Sequence, residues 1–365
     1  AYAYYWPKTV TDVAWSLGAP AGSAVTVGGP LFTNAPMTNL AVTEIFNVGE
    51  RNTSFVPTNL VAGTTYLQAR QMLIPDVEGI YYVTNKITNG SKVYTNVVQV
   101  VCGTYEGDNK CGLCHSGATF GGVTLNDNYS GWGMTAHAIA MQMKIDGSTN
   151  MSGNLTGPGF KSSCYSCHTL GYDSNSLAIN GGFDDIATNL QWTAPSSSTN
   201  GNWAAMPLAL KHVSNIQCEN CHGAGSAHDN AITFSDKTNT IAVNLGAGVC
   251  GSCHDSVGAK RTHPVNAQWR HSPHGSGRYT YRYTANTNTP GVFTPSVGCD
   301  APCHGARGFI EKFDTTKTLK RWGFGNTEGV TCVACHDPHK AGPEETPAML
   351  RTLDDVPLGW TNMFQ

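Results

Sequence analysis

Two unlike parts are predicted along this chain: an all-β sandwich over residues 1–104, then a loop-rich region over 105–365 with short α-helices and little regular structure. Three observations carry the division. Residues 1–104 alternate β-branched and aromatic residues with Gly, Pro, Asn and Asp at the expected turns. None of the 13 histidines lies before residue 111. Of the 13 cysteines, all but Cys102 fall after residue 104, in six short peptides that end in Cys-His.

Within the first part, strands are expected at Ala24 to Val27, Thr38 to Phe46, Thr64 to Met72, Gly79 to Ile87 and Lys92 to Val101. The last two read as a hairpin turning through Asn89-Gly90. About a hundred residues with this spacing resemble immunoglobulin-like modules, without the Cys…Trp…Cys pattern of antibody domains. Cys102 follows Val97, Val98, Val100 and Val101, so it is expected to behave as a small buried hydrophobe.

The second part is organised by Cys111-Gly-Leu-Cys114-His115, Cys164-Tyr-Ser-Cys167-His168, Cys218-Glu-Asn-Cys221-His222, Cys250-Gly-Ser-Cys253-His254, Cys299-Asp-Ala-Pro-Cys303-His304 and Cys332-Val-Ala-Cys335-His336. Pairs of C-x-x-C can bind zinc, act as redox dithiols or close disulfides. None of those chemistries requires a histidine directly after the second cysteine, and here it follows every time. A peptide of this form is a covalent seat for haem: two thiols make thioethers to the porphyrin vinyl groups and the adjacent imidazole becomes the proximal iron ligand. The fifth seat has one more residue between its cysteines, which still leaves the second thiol beside the imidazole. Six c-type haems are expected, with His115, His168, His222, His254, His304 and His336 proximal.

Seven histidines remain for six distal positions: His137, His212, His228, His263, His274 and His339, with His271 the alternative on the His271-Ser-Pro-His274 turn. Proximal and distal rings lie on opposite faces of a haem. The three steps from His336 to His339 span about 10 Å at most, too short to pass round a porphyrin. His339 is therefore expected to serve a neighbouring haem, and His228, six positions after His222, likewise. Ligation by Met134, Met141, Met143 or Met206 is a further possibility that would raise the potential of an iron, against ordinary packing.

Short helices are expected at Gly133 to Lys144 carrying His137, at Ala204 to Val213 carrying His212, and at Ala306 to Trp322. Ser196 to Asn202 and Thr284 to Thr294 read as surface loops. The uneven intervals between seats argue against a solenoid. Lys211, Lys260, Arg261, Arg270 and Arg278 are candidate partners for haem propionates. A formal charge of -3 with no Lys/Arg run excludes a nucleic-acid partner. No apolar run reaches the ~18 residues of a membrane span. Covalent haem attachment takes place outside the cytoplasm, and the start at Ala1-Tyr2-Ala3 is expected to follow removal of a signal peptide.

The peptides Cys218 to His228, Cys332 to His339 and Trp269 to His274 resemble the signatures of multihaem c-type cytochromes from metal-reducing microbes. The count of six seats and the low charge are similar to those of secreted cytochromes that polymerise into conductive extracellular filaments, or nanowires. The resemblance covers about residues 105–345; the amino-terminal β module departs from the barest filament subunits. It implies a continuous stack of bis-histidine haems, head-to-tail homopolymers that exchange electrons with other redox proteins or extracellular acceptors, and an electron-transfer protein with no catalytic residue. In several such filaments one subunit's histidine completes a haem of the next, and His137 is the candidate donor here. A monomeric periplasmic or cell-surface carrier is the alternative. A reductase of nitrite or hydroxylamine would need an iron with an open distal position.

Overall fold

The computed structural model describes residues 12–34, 71–89, 92–147, 162–173, 179–243, 245–254, 265–272, 274, 306, 309–310, 330–340 and 349–351. The chain divides into two units, one of Ala1–Glu106 with Cys218–Asn244 and Gly251–Trp269, the other of Gly107–Gln217 with Leu245–Cys250 and Arg270–Gln365.

Five described strands lie in the first unit: β1 (Asp12–Gly18), β2 (Phe32–Asn34), β3 (Gln71–Leu73), β4 (Gly79–Asn89) and β5 (Lys92–Cys102). An antiparallel sheet of order β1-β4-β5 sets Leu17 opposite Val83 and Gly79 opposite Cys102, while β2 pairs with β3. The expected hairpin forms, with Asn89 opposite Lys92. Alternation along β4 turns Tyr81 and Val83 inward, where they pack with Val25 and Phe32, flanked by Trp15, Leu17, Leu31, Leu73, Val100 and Cys102. Each large side chain removed from water here contributes about 1.5–3 kcal/mol.

Tyr81 is fully buried, so its hydroxyl needs partners. It donates to Asp76 Oδ1 at 2.8 Å and accepts from the Val77 amide at 3.0 Å. Asp76 also accepts from Ser23 Oγ at 2.6 Å and from the Ala24 amide at 2.7 Å. That bond takes the Ala24 amide for a side chain, and the strand expected at Ala24 to Val27 is a loop and turn instead. β1 was not anticipated, although Val13, Trp15 and Leu17 alternate as a half-buried strand would. Thr38 to Phe46 lies outside the described residues, and of Thr64 to Met72 only the last two positions fall inside them.

Beyond the sheet the helices are α1 (Asp108–His115), α2 (Asn128–Gly133), α3 (Ala140–Asp146), α4 (Ser162–His168), α5 (Phe183–Asn189), α6 (Asn202–Ala205), α7 (Leu208–Lys211), α8 (Cys218–His222), α9 (Ser226–Asn230), α10 (Phe234–Lys237), α11 (Ala247–Gly251), α12 (Val265–His271) and α13 (Cys332–Cys335). A small ribbon of Thr119–Phe120 against Val123–Thr124 follows α1. Among the described residues no helix is long and apolar enough to cross a membrane.

Two expected helices are each broken in the second unit. Gly133 to Lys144 divides because Thr135 Oγ1 donates to Trp132 O at 2.7 Å and Asn215 Oδ1 accepts from the Met141 and Gln142 amides at 2.8 and 3.2 Å, capping a new helix start at Ala140. His137 sits between the two pieces, in a single 3-10 turn. Ala204 to Val213 divides at Pro207, which holds Met206 extended (ψ 136). The helix expected at Ala306 to Trp322 and the loop at Thr284 to Thr294 lie mostly or wholly outside the described residues. Met141, Ile145, Leu170, Phe183, Met206, Leu210 and Val213 are buried in this unit. Phe183 meets Tyr165 at 5.1 Å and Trp192 edge-on at 5.6 Å.

Candidate functional site

Five of the six Cys-His peptides fall wholly within the described residues, and each occupies a helical turn or the end of one. Cys111, Cys114 and His115 end α1; Cys164, Cys167 and His168 end α4; Cys218, Cys221 and His222 make up α8. Cys332 and Cys335 bound α13 with His336 as its C-cap, and Cys250 lies in α11 with Cys253 and His254 just beyond its end. A spacing of three residues on a helix brings both thiols to one face with the imidazole beside the second. None of the described cysteines is spent in a disulfide. Among the described residues no three His, Cys, Asp or Glu side chains converge on a bare metal ion. Paired thiols plus an adjoining imidazole fit a covalently anchored porphyrin. Cys299, Cys303 and His304 lie outside the described residues.

The thiols differ in acidity with their surroundings. Burial, with Cys218 adding to it, pushes the Cys221 thiol up to about 11, and burial also raises Cys335. Cys332 moves the other way, to about 7, because Cys250 hydrogen-bonds it. The first cysteines of the fourth and sixth seats therefore meet. Beside them Thr331 Oγ1 donates to Leu245 O at 2.6 Å. Cys102 is half-buried and its thiol is raised first by burial, then by Glu78 and Asp76, an unreactive side chain.

The imidazoles are oriented through Nδ1. His222 Nδ1 donates to Ala242 O at 2.6 Å, and His228 Nδ1 donates to Lys237 O at 2.7 Å. A carbonyl can only accept, so both rings carry their proton at Nδ1 and present the Nε2 lone pair to a metal. Burial lowers the pKa of His228, which favours its neutral form. His212 Nδ1 lies 3.4 Å from Asp108 Oδ1 at the start of α1, and His339 Nδ1 lies 3.6 Å from Asp337 Oδ1. His137 is half-buried, and its carbonyl accepts from the Ile216 amide at 3.1 Å. His274 is exposed, His271 ends α12, and His263 lies outside the described residues.

Met134 is exposed, whereas Met141 and Met206 are buried among apolar side chains. Of the cations assigned to propionates, Lys211 donates to Ala204 O at 3.1 Å and lies 5.8 Å from the Trp203 ring centre. Lys260, Arg261, Arg278 and the Arg270 side chain lie outside the described residues.

Four supporting residues carried no sequence signal. Glu219, inside the third seat, is 3% exposed; its carboxylate accepts the Glu106 amide at 3.0 Å and the Gly225 amide at 2.6 Å. Ser226 Oγ accepts the Thr104 amide at 2.9 Å, so the end of β5 is fastened to the loop after His222. There Gly223 has φ +84, and a Cβ on it would stand 2.5 Å from Val101 Cβ, a place only glycine fills. Arg351 clamps the sixth seat: Nε donates to Val333 O, Nη1 to Asp337 Oδ2 and its amide to Cys335 O, each at 2.8 Å.

Residues 110–190, which hold the first two seats, match the family model described as cytochrome c554 and c-prime. No curated protein and no solved structure matches the chain. The match and the thiol-imidazole turns agree in chemistry: residues 110–190 are similar to c-type cytochromes, which carry electrons on covalently bound haem.

Proposed function

We propose that the chain relays electrons through six c-type haems, each iron held between two imidazoles, and that copies join head to tail into an extracellular filament. The relay rests above all on the state of the histidines. His222 and His228, six residues apart, both hold a proton at Nδ1 against a backbone carbonyl, the tautomer a metal takes at Nε2. Both belong to the peptide Cys218 to His228, and seven histidines outside the seats suffice for six distal positions. A bound haem would supply one-electron exchange; the Cys-His turns would anchor it and the remaining histidines would leave no iron open to substrate. The filament is supported by the low charge and by the β module, which we read as an immunoglobulin-like sandwich suited to assembly.

The holo-protein mass and its haem content are expected to give six haems per chain, and electron paramagnetic resonance only low-spin ferric iron. Negative-stain images at two concentrations are expected to show uniform fibres. Single particles at every concentration would replace the filament with a monomeric carrier. High-spin iron with rapid turnover of nitrite or hydroxylamine would replace both with a reductase.

A further inference from the structure

We infer that the peptide of the sixth seat completes the first: His339 is the distal ligand of the iron attached through Cys111 and Cys114. The inference rests on the bis-imidazole reading above and names one of its pairings.

His339 cannot serve its own seat, since three residue steps after His336 do not round a porphyrin. The structure instead sets it against α2. The carbonyl of His339 abuts Gly131 so closely that a Cβ there would collide with it. α2 is in turn a wall of the first seat. Tyr129 covers Gly112, between Cys111 and Cys114, with ring atoms 2.9–3.1 Å from where a Cβ would stand. Ser116, directly after His115, bridges to Asp127, whose side chain caps α2 by accepting the Ser130 amide at 2.9 Å. One short helix thus separates His339 from the first Cys-His turn.

The ring is also oriented for the task. Asp337 Oδ1 accepts the His339 amide at 3.1 Å and faces its Nδ1, which directs Nε2 away from the Asp337 carboxylate. Arg351 fixes that carboxylate from the other side. The rival for the same iron is His212, but its partner Asp108 lies two turns before His115 on one face of α1. His212→Ala is therefore expected to leave the first haem low-spin.

With Cys332 against Cys250, the pairing puts the last seat in the sequence between the first and the fourth. Electrons would then pass from first to sixth to fourth, out of chain order.

In purified holo-protein, His339→Ala is expected to convert one low-spin ferric haem of the six to high spin, with all haems retained by mass. In a protein lacking the first haem, Cys111→Ala with Cys114→Ala, the same change is expected to add no high-spin signal. A high-spin signal in that background would overturn the assignment, as would a His339→Ala protein that stays wholly low-spin. High-spin iron in the unchanged protein would instead count against the proposed saturation. Should the double-cysteine variant fail to accumulate, density for the holo-protein decides: Nε2 of His339 on the first iron is expected, and on any other iron it refutes the pairing.

Discussion

Arg351 Nη1 lies 2.8 Å from Asp337 Oδ2, and both side chains are largely buried, at 15% and 11% exposure. The arginine also holds the Val333 and Cys335 carbonyls, so one side chain ties the turn that carries Cys332, Cys335 and His336. Its partner is the residue between the two imidazoles of His336-Asp337-Pro338-His339. Replacement by Arg351→Met leaves a buried carboxylate without its counter-charge, an expected loss of about 3–5 kcal/mol. Arg351→Lys is expected to recover only part of it, since an ammonium cannot reproduce the guanidinium fork. Thermal unfolding followed in the Soret band measures both; equal melting points for the two variants would contradict the forked role.

Glu219 concentrates two backbone amides on one buried carboxylate. Glu219→Ala is expected to cost ~2–3 kcal/mol, the range for bonds to a charged acceptor that leave buried donors unmade. Glu219→Gln keeps Oε1 as an acceptor and is expected to cost less. Denaturant titration of the holo-protein reads the difference, and a Glu219→Ala midpoint equal to that of the parent would remove the residue from the account.

Gly131 and Gly133 share α2 but not surroundings. A methyl on Gly131 meets the His339 carbonyl, whereas one on Gly133 meets nothing within 4 Å. Gly131→Ala is expected to destabilise by ~1–3 kcal/mol through overpacking. Gly133→Ala is expected to be neutral or to gain up to ~1 kcal/mol from helix propensity. The pair of melting temperatures tests the approach of His339, because a general intolerance of α2 to side chains would lower both.

Asp76 has its carboxyl below the ordinary value, chiefly through Ser23, then the Ala24 amide. A depressed folded pKa contributes stability above the unfolded carboxylate value, and that contribution is lost as pH falls through the folded one. Amide exchange at Ala24 and neighbouring residues is therefore expected to quicken below the normal carboxylate range. Asp76→Asn is expected to flatten that dependence, and an unchanged pH profile would sink the explanation.

The Cys-His peptides were legible because they are local: a cysteine touching a histidine needs no tertiary partner to be recognised. The hairpin of β4 and β5 was legible for the same reason, its turn residues and alternation lying in one continuous stretch. The break of Ala204 to Val213 was also written in the chain, as Pro207. The division of Gly133 to Lys144 was not, because its cap is Asn215, about 75 residues away from the amides it satisfies. Local residue types thus determined where the Cys-His peptides fall and where the β4–β5 hairpin turns. Only the tertiary structure decided what surrounds them, Arg351 on Asp337, Glu219 on the Glu106 amide, Gly131 beneath His339, since burial and hydrogen bonding join residues whose separation in sequence carries no information about their separation in space.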